Sequence, residues 1–190
     1  MVLRFEPLDW PVDAPNVVEF LTANEWPFHG VPRLSPADAE AVGVVGGDIA
    51  TYWIREGDET IGMIRLFDLD DLDNGSPLFD LRIAERHRGR GIGRHSLRWL
   101  TRHLFTTYPG LRRIEATTRD DNLAMQTVFA HCSYRLEGVC HRSSMSRRGP
   151  VEAEFVLAVG FDDQAGHRGS WDDRATRGGT IVQPERVTSP

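Results

Sequence analysis

Glycines alternate at positions 89, 91 and 93, with Arg88 and Arg90 beside the first of them. Glycine permits a sharp backbone turn and leaves its N–H groups open to a ligand. A long helical pattern follows at once, and the first amides of a helix have no intrahelical acceptor. Turn and helix start together suit a phosphate. The same glycines also read as a tight turn and nothing more. A P-loop is excluded, because it ends in Gly-Lys-Ser or Gly-Lys-Thr and this segment continues Gly93-Arg94-His95. A dinucleotide-binding turn fits poorly, since its glycines follow a first strand in the spacing Gly-x-Gly-x-x-Gly.

Groups able to move protons lie on both sides of the glycines. Asp80 precedes them, Glu115 follows the long helix, and His29 comes after Trp26-Pro27-Phe28. Carboxylate and imidazole are common acid–base groups. The plainer readings are a surface acid, an ion-pair partner and a solvent-facing loop residue. His87, His95 and His103 do not converge with other ligand types, so no metal is expected. Arg94, Arg98 and Arg102 recur every four residues and form a basic ridge, read as a solvated face paired with acids. The run Asp68 to Asp73 is either a solvated loop or a rim that attracts cations.

The elements that must position these groups follow from periodicity. Residues 1–8 read as a strand, 16–23 as a helix, 26–30 as an aromatic loop, and Ser35-Pro36 as the start of a second helix. Runs 49–55 and 60–67 form a hairpin across Glu56-Gly57-Asp58-Glu59, and a strand follows at 78–84. Leu97, Leu100, Leu104 and Phe105 carry helical spacing that must stop before Pro109-Gly110. A strand over 111–118, a helix from Asp121 or Asn122, and strands over 134–144 and 152–159 complete the order. The result is a mixed α/β or α+β domain over 1–161, whose middle strand-helix-strand unit is expected to be parallel and right-handed. Residues 162–190 lack a period and read as a mobile tail, or one packed through Trp171, Ile181 and Val182.

Composition narrows the class. Of 190 residues 40% are hydrophobic, enough for a real core. Lys plus Arg is 22 against 28 for Asp plus Glu, a net charge of −6, which disfavours a nucleic-acid partner. No run approaches the ~20 apolar residues of a membrane span. The first residues do not read as a secretory signal, and Cys132 and Cys140 are expected to be free thiols of a cytoplasmic protein.

The segment Leu81 to Gly93 closely resembles the central motif of the GCN5-related N-acetyltransferase (GNAT) superfamily. There Arg or Gln is followed after two residues by Gly, and after one more by Gly or Ala; Arg88, Gly91 and Gly93 match. Asn122 resembles the family's helix-opening Asn. Ser133-Tyr134 stands eleven residues later, where the family has Gly-Phe or Gly-Tyr. The likeness covers about 1–161 and looks nearest to the branch that acetylates ribosomal-protein amino termini and related amines.

The resemblance implies a mostly antiparallel sheet with helices on both faces, in which strands 78–84 and 111–118 splay apart. Acetyl-CoA would lie in that gap, its pantetheine on the backbone of Leu81 to Ile83 and its pyrophosphate on Arg88, Gly89, Arg90, Gly91, Ile92 and Gly93. Asn122 would also touch the cofactor, and an N–H near Ile83 would polarise the thioester carbonyl. The implied reaction is direct attack by a primary amine within a ternary complex, the amine being a small molecule or a peptide amino terminus. Glu115 and Asp80 are the candidate bases, with His29 a third. Trp26 and Phe28 either wall the acceptor pocket or fill the core beneath it. The family often has Tyr where this chain has Phe129, which cannot donate a proton; water, Cys132, Ser133 or Tyr134 would substitute. That departure supports a rival reading, a CoA-binding sensor or partner module with little catalysis. A homodimer through C-terminal edge strands is allowed.

Overall fold

The computed structural model describes residues 1–10, 12–43, 48–70, 72, 76–140, 144–146, 149–151 and 154–160. The expected tail at 162–190 and parts of the acidic run lie outside them. Strand β1 (Leu3–Pro7) leads to helices α1 (Ala14–Thr22) and α2 (Pro36–Gly43). Strands β2 (Ala50–Glu56), β3 (Glu59–Phe67) and β4 (Leu78–Ile83) follow, then α3 (Ile92–Thr107), β5 (Arg113–Arg119) and α4 (Leu123–His131). β6 (Arg135–Cys140), β7 (Ser144–Ser146), β8 (Gly149–Val151) and β9 (Glu154–Gly160) complete the order. A 3-10 turn at Glu85–His87, which periodicity does not register, joins β4 to the glycines.

Local chemistry accounts for these boundaries. Ser35 Oγ accepts from the Asp38 N–H at 3.2 Å and donates to the Asp38 carboxylate at 2.7 Å, a reciprocal cap that starts α2. Gly91, at φ 81°, closes the turn before α3. Asn122 Oδ1 accepts from the Met125 N–H at 3.1 Å and caps α4. Ser133, where the related motif carries Gly, adopts the same left-handed backbone at φ 65°.

Strands β1-β2-β3-β4 form one antiparallel sheet and β5-β9-β6 another. Among the described residues no ladder joins β4 to β5, so the two strands of the central strand-helix-strand unit stand as facing edges of separate sheets. Ser76 bridges them at one end: its Oγ accepts from the Glu115 N–H at 2.6 Å and lies 3.4 Å from the Arg113 carbonyl.

Two apolar clusters cover the two faces. Leu97, Leu100 and Leu104 of α3 pack with Ile64, Leu66, Ile114, Leu157 and Phe129, and Phe79, Leu81 and Ile83 of β4 lie against them. Val17, Phe20 and Leu21 of α1 pack with Trp26, Trp53 and Met63 on the other face. Alternation along β4 therefore sends Asp80 and Arg82 to the α1 side. β3 and β4 approach so closely that a Cβ at Gly62 would lie 2.6 Å from the Arg82 carbonyl oxygen. Gly62→Ala is expected to lower stability by about 1–3 kcal/mol through that backbone clash, read from the urea midpoint at unchanged slope.

Candidate active site

The gap between β4 and β5 is an edge with unpaired backbone. The Ala84 N–H bonds the Ile61 carbonyl at 2.9 Å, so residues 80, 82 and 84 direct their backbone groups at β3. By alternation, Phe79, Leu81 and Ile83 direct theirs into the gap. On the other side the Ser76 contacts show that Arg113 and Glu115 do the same. A cleft of about 390 Å³ lies between the edges, lined by Phe67, Asp68, Leu78, Phe79, Ala116 and Thr117. An extended, amide-containing chain has the complementary donors and acceptors for such a groove.

Past the end of β4 the glycines form the turn expected to cradle a phosphate. Gly89 and Gly91 have φ of 75° and 81°, conformations side chains rarely adopt, and a Cβ at either would meet nothing within 4 Å. Backbone torsion, not crowding, requires glycine there. The amides of the first turn of α3 start beside them without intrahelical acceptors.

The arginines of this segment are otherwise engaged. Arg90 donates to Glu56 at 2.9 Å and to His87 Nδ1 at 2.7 Å, tying the turn to β2. Arg88 donates through Nε to the Ile83 carbonyl at 2.9 Å and through Nη2 to the Glu25 carbonyl. Backbone amides, not these guanidinium groups, face the cradle as it stands. Asn122 spends its carbonyl oxygen on the α4 cap.

On the α1 side of β4, His29 Nε2 stands 2.8 Å from Asp80 Oδ1, and Arg82 Nε donates to Asp80 Oδ2 at 2.8 Å. Burial alone would raise the Asp80 pKa. The His29 hydrogen bond and the Arg82 charge outweigh it and hold the carboxyl at about 2. A carboxylate so strongly stabilised as an anion is a poor proton acceptor and a good anchor for an imidazole. With Nε2–H directed at Asp80, the lone pair of His29 lies on Nδ1, which is buried and bonds no other described group.

Trp26 is 1% exposed, donates through Nε1 to the Leu21 carbonyl at 2.8 Å and meets His29 edge-on. It supports the loop from beneath, the second of its two expected roles, whereas Phe28 is exposed at 36%. Glu115, like Asp80, lies on the side of its strand away from the α3 core but is bound by Arg113 at 2.8 Å, and Arg113 continues to Glu137 at 2.9 Å.

Two of the expected substitute acids, Tyr134 and Cys132, are weakened as proton donors by burial. Tyr134 is buried with its hydroxyl 3.0 Å from Thr101 Oγ1, and burial pushes its pKa far up. Burial also raises the Cys132 thiol to about 11. Phe129 is buried between Tyr134 and Phe79, ring centroids 5.1 and 6.3 Å away, and so packs at the gap wall. Sequence reasoning named His29 and Asp80 separately; Arg82, which orders the pair, carried no signal beyond its place two residues from Asp80.

Residues 17–134 match the Acetyltransferase (GNAT) family. The chain belongs to that family. It is an acetyl-CoA-dependent acetyltransferase. No curated protein matches it in a sequence search. Among solved structures, the acetyltransferase is similar to the spermidine N-acetyltransferase of Vibrio cholerae in complex with CoA and spermine, at 16% identity and TM-score 0.70, over 86% of this chain and 98% of that one. AAC(6')-Ib in complex with ribostamycin and coenzyme A gives 17% identity and TM-score 0.69, over 88% and 98%. A GNAT-family acetyltransferase of Bacillus anthracis gives 13% and 0.69, over 84% and 95%. These likenesses show the shared fold. Among the described residues no cluster of His, Cys, Asp and Glu could hold a metal, and no helix is long and apolar enough to cross a membrane.

Asp80 makes the acetyltransferase acid-sensitive in a defined window. Its folded pKa of about 2 lies below the ordinary 3.8, so its stabilisation is complete above about pH 4 and is lost as pH falls through about 2. The loss is expected to be about 2 kcal/mol, read as urea midpoint against pH and flattened in Asp80→Asn. Gly91→Ala, forced from its left-handed backbone, should raise the Kd for acetyl-CoA about tenfold in a calorimetric titration.

Proposed function

We infer that the protein transfers the acetyl group of acetyl-CoA to a primary amine within a ternary complex, with His29 as proton acceptor. The observation that carries this reading is the Arg82–Asp80–His29 chain beside the open edge of β4. The bound donor supplies an activated acetyl thioester. The backbone of Leu81 and Ile83 would pair with its pantetheine arm, and the amides from Gly89 to Gly93 and the Asn122 side chain would hold its phosphates and linker. A free N–H near Ile83 would bond the thioester carbonyl as charge develops on it.

Only a neutral amine attacks a thioester, so the site must take up a proton. Asp80 fixes the His29 ring and stabilises the imidazolium that forms when the ring takes up the amine proton. Asp80, assigned a base role on sequence grounds, thereby acts through His29. Glu115 is a second base candidate, its carboxylate already held by Arg113. Phe129 leaves water to protonate the departing thiolate. The fold neighbours crystallised with spermine and with ribostamycin support an amine acceptor.

The test is acceptor-dependent CoA release across peptides, polyamines and aminoglycosides. His29→Gln is expected to lower kcat/KM about 10²-fold at unchanged Kd for acetyl-CoA. Glu115→Gln should cost much less. The reverse ranking would assign the base role to Glu115, and binding without release for any amine would contradict amine transfer.

A further inference from the structure

The segment that carries His29 is anchored on α1 and tied to β4 and the turn before the glycines. It first closes on itself: the Trp26 N–H bonds the Pro32 carbonyl at 2.7 Å, the His29 N–H bonds the Trp26 carbonyl at 3.1 Å, and Arg33 pairs with Glu25. Asn24 and Trp26 tie it to α1, at the Phe20 and Leu21 carbonyls, each at 2.8 Å; its other attachments run to one stretch of chain. The Glu85 N–H donates to Asn24 Oδ1 at 2.9 Å. Arg88 binds the carbonyls of Glu25 and Ile83 together. Trp26 lies under two guanidinium groups, Arg82 at 5.2 Å and Arg88 at 5.5 Å from its ring centroid. Asp80 holds His29.

Arg88 occupies the position between these two systems. Its backbone enters the glycine cradle, and its side chain spans the last carbonyl of β4 and the His29 segment. Five donors in a fixed planar fork suit a bridge between two carbonyls, a task the single ammonium of lysine performs poorly.

We propose that Arg88 is a positioning residue that couples the donor site to the acceptor side: binding of acetyl-CoA at Ile83 and the glycine cradle immobilises residues 24–33 and so sets His29 for catalysis. This rests on the acetyltransferase reading of the gap. Coupling between two sites is reciprocal, so ordering of the His29 segment would tighten the donor site in turn.

Backbone hydrogen exchange of the full chain, with and without saturating acetyl-CoA, tests this directly. The Trp26 and His29 amides report on the segment, and calorimetry gives the Kd separately. Wild type is expected to show about tenfold slower exchange at both amides with acetyl-CoA, a coupling of ordinary size. Arg88→Met should keep the Kd within about threefold while the cofactor-dependent slowing falls below about twofold, since the phosphates would rest on backbone amides. Asn24→Ala, which removes the Glu85 attachment and leaves Arg88 intact, should weaken the slowing in part and serves if Arg88→Met fails to fold. Binding with no slowing in wild type would overturn the coupling and leave the transferase reading standing. An Arg88→Met variant that loses acetyl-CoA about hundredfold yet keeps the slowing when saturated would make Arg88 a phosphate ligand and overturn the proposal. No binding to wild type would overturn the donor site itself.

Discussion

Backbone groups withdrawn from water must find partners, and the edge of β4 that faces β5 finds almost none within the described chain. Residues 80, 82 and 84 are satisfied by β3, whereas Leu81 and Ile83 direct their donors and acceptors into the gap. Only the Ile83 carbonyl has a described partner, the Arg88 guanidinium. The rest of the fold keeps the gap from closing. Separate apolar clusters cover the two faces, Phe79 and Phe129 pack at its wall, and Ser76 stitches β4 to β5 at one end alone. A sheet that zipped shut would be more self-sufficient and would have no place for a donor.

The same edge explains why the chemistry lies on one face. Alternation places Leu81 and Ile83 in the α3 core and Asp80 and Arg82 opposite, against the segment from Asn24 to Arg33. Asp80 shows how a buried charge becomes useful. Left alone it would take up a proton in place of ionising; with one oxygen on His29 and the other on Arg82 it stays anionic and orders the imidazole. In the proposed reaction the strand that would present backbone to the donor would also present, on its next residues, the group that holds the base.

Much of this was legible in the chain. The helical spacing of Leu97, Leu100 and Leu104, the cap at Asn122 and the alternating glycines are local signals, and the elements stand within a few residues of where those signals put them. Long-range pairing was not legible. His29 and Asp80 are 51 residues apart, and neither residue type announces the other. Whether Trp26 walls a pocket or lies beneath it depends on the depth at which two arginines stack on it. Arg88 fits a motif for phosphate binding, yet its side chain turns back to two carbonyls, a choice set by where the Glu25 carbonyl lies in space.

The central claim is that acetyl-CoA occupies the open edge of β4. Amide resonances of Leu81 and Ile83, followed during a titration with acetyl-CoA, test it most directly. The account predicts that the Leu81 and Ile83 amides shift and become protected from exchange in step with those of Gly89 and Gly91. Saturable binding that moved neither Leu81 nor Ile83 would place the donor elsewhere and contradict the account.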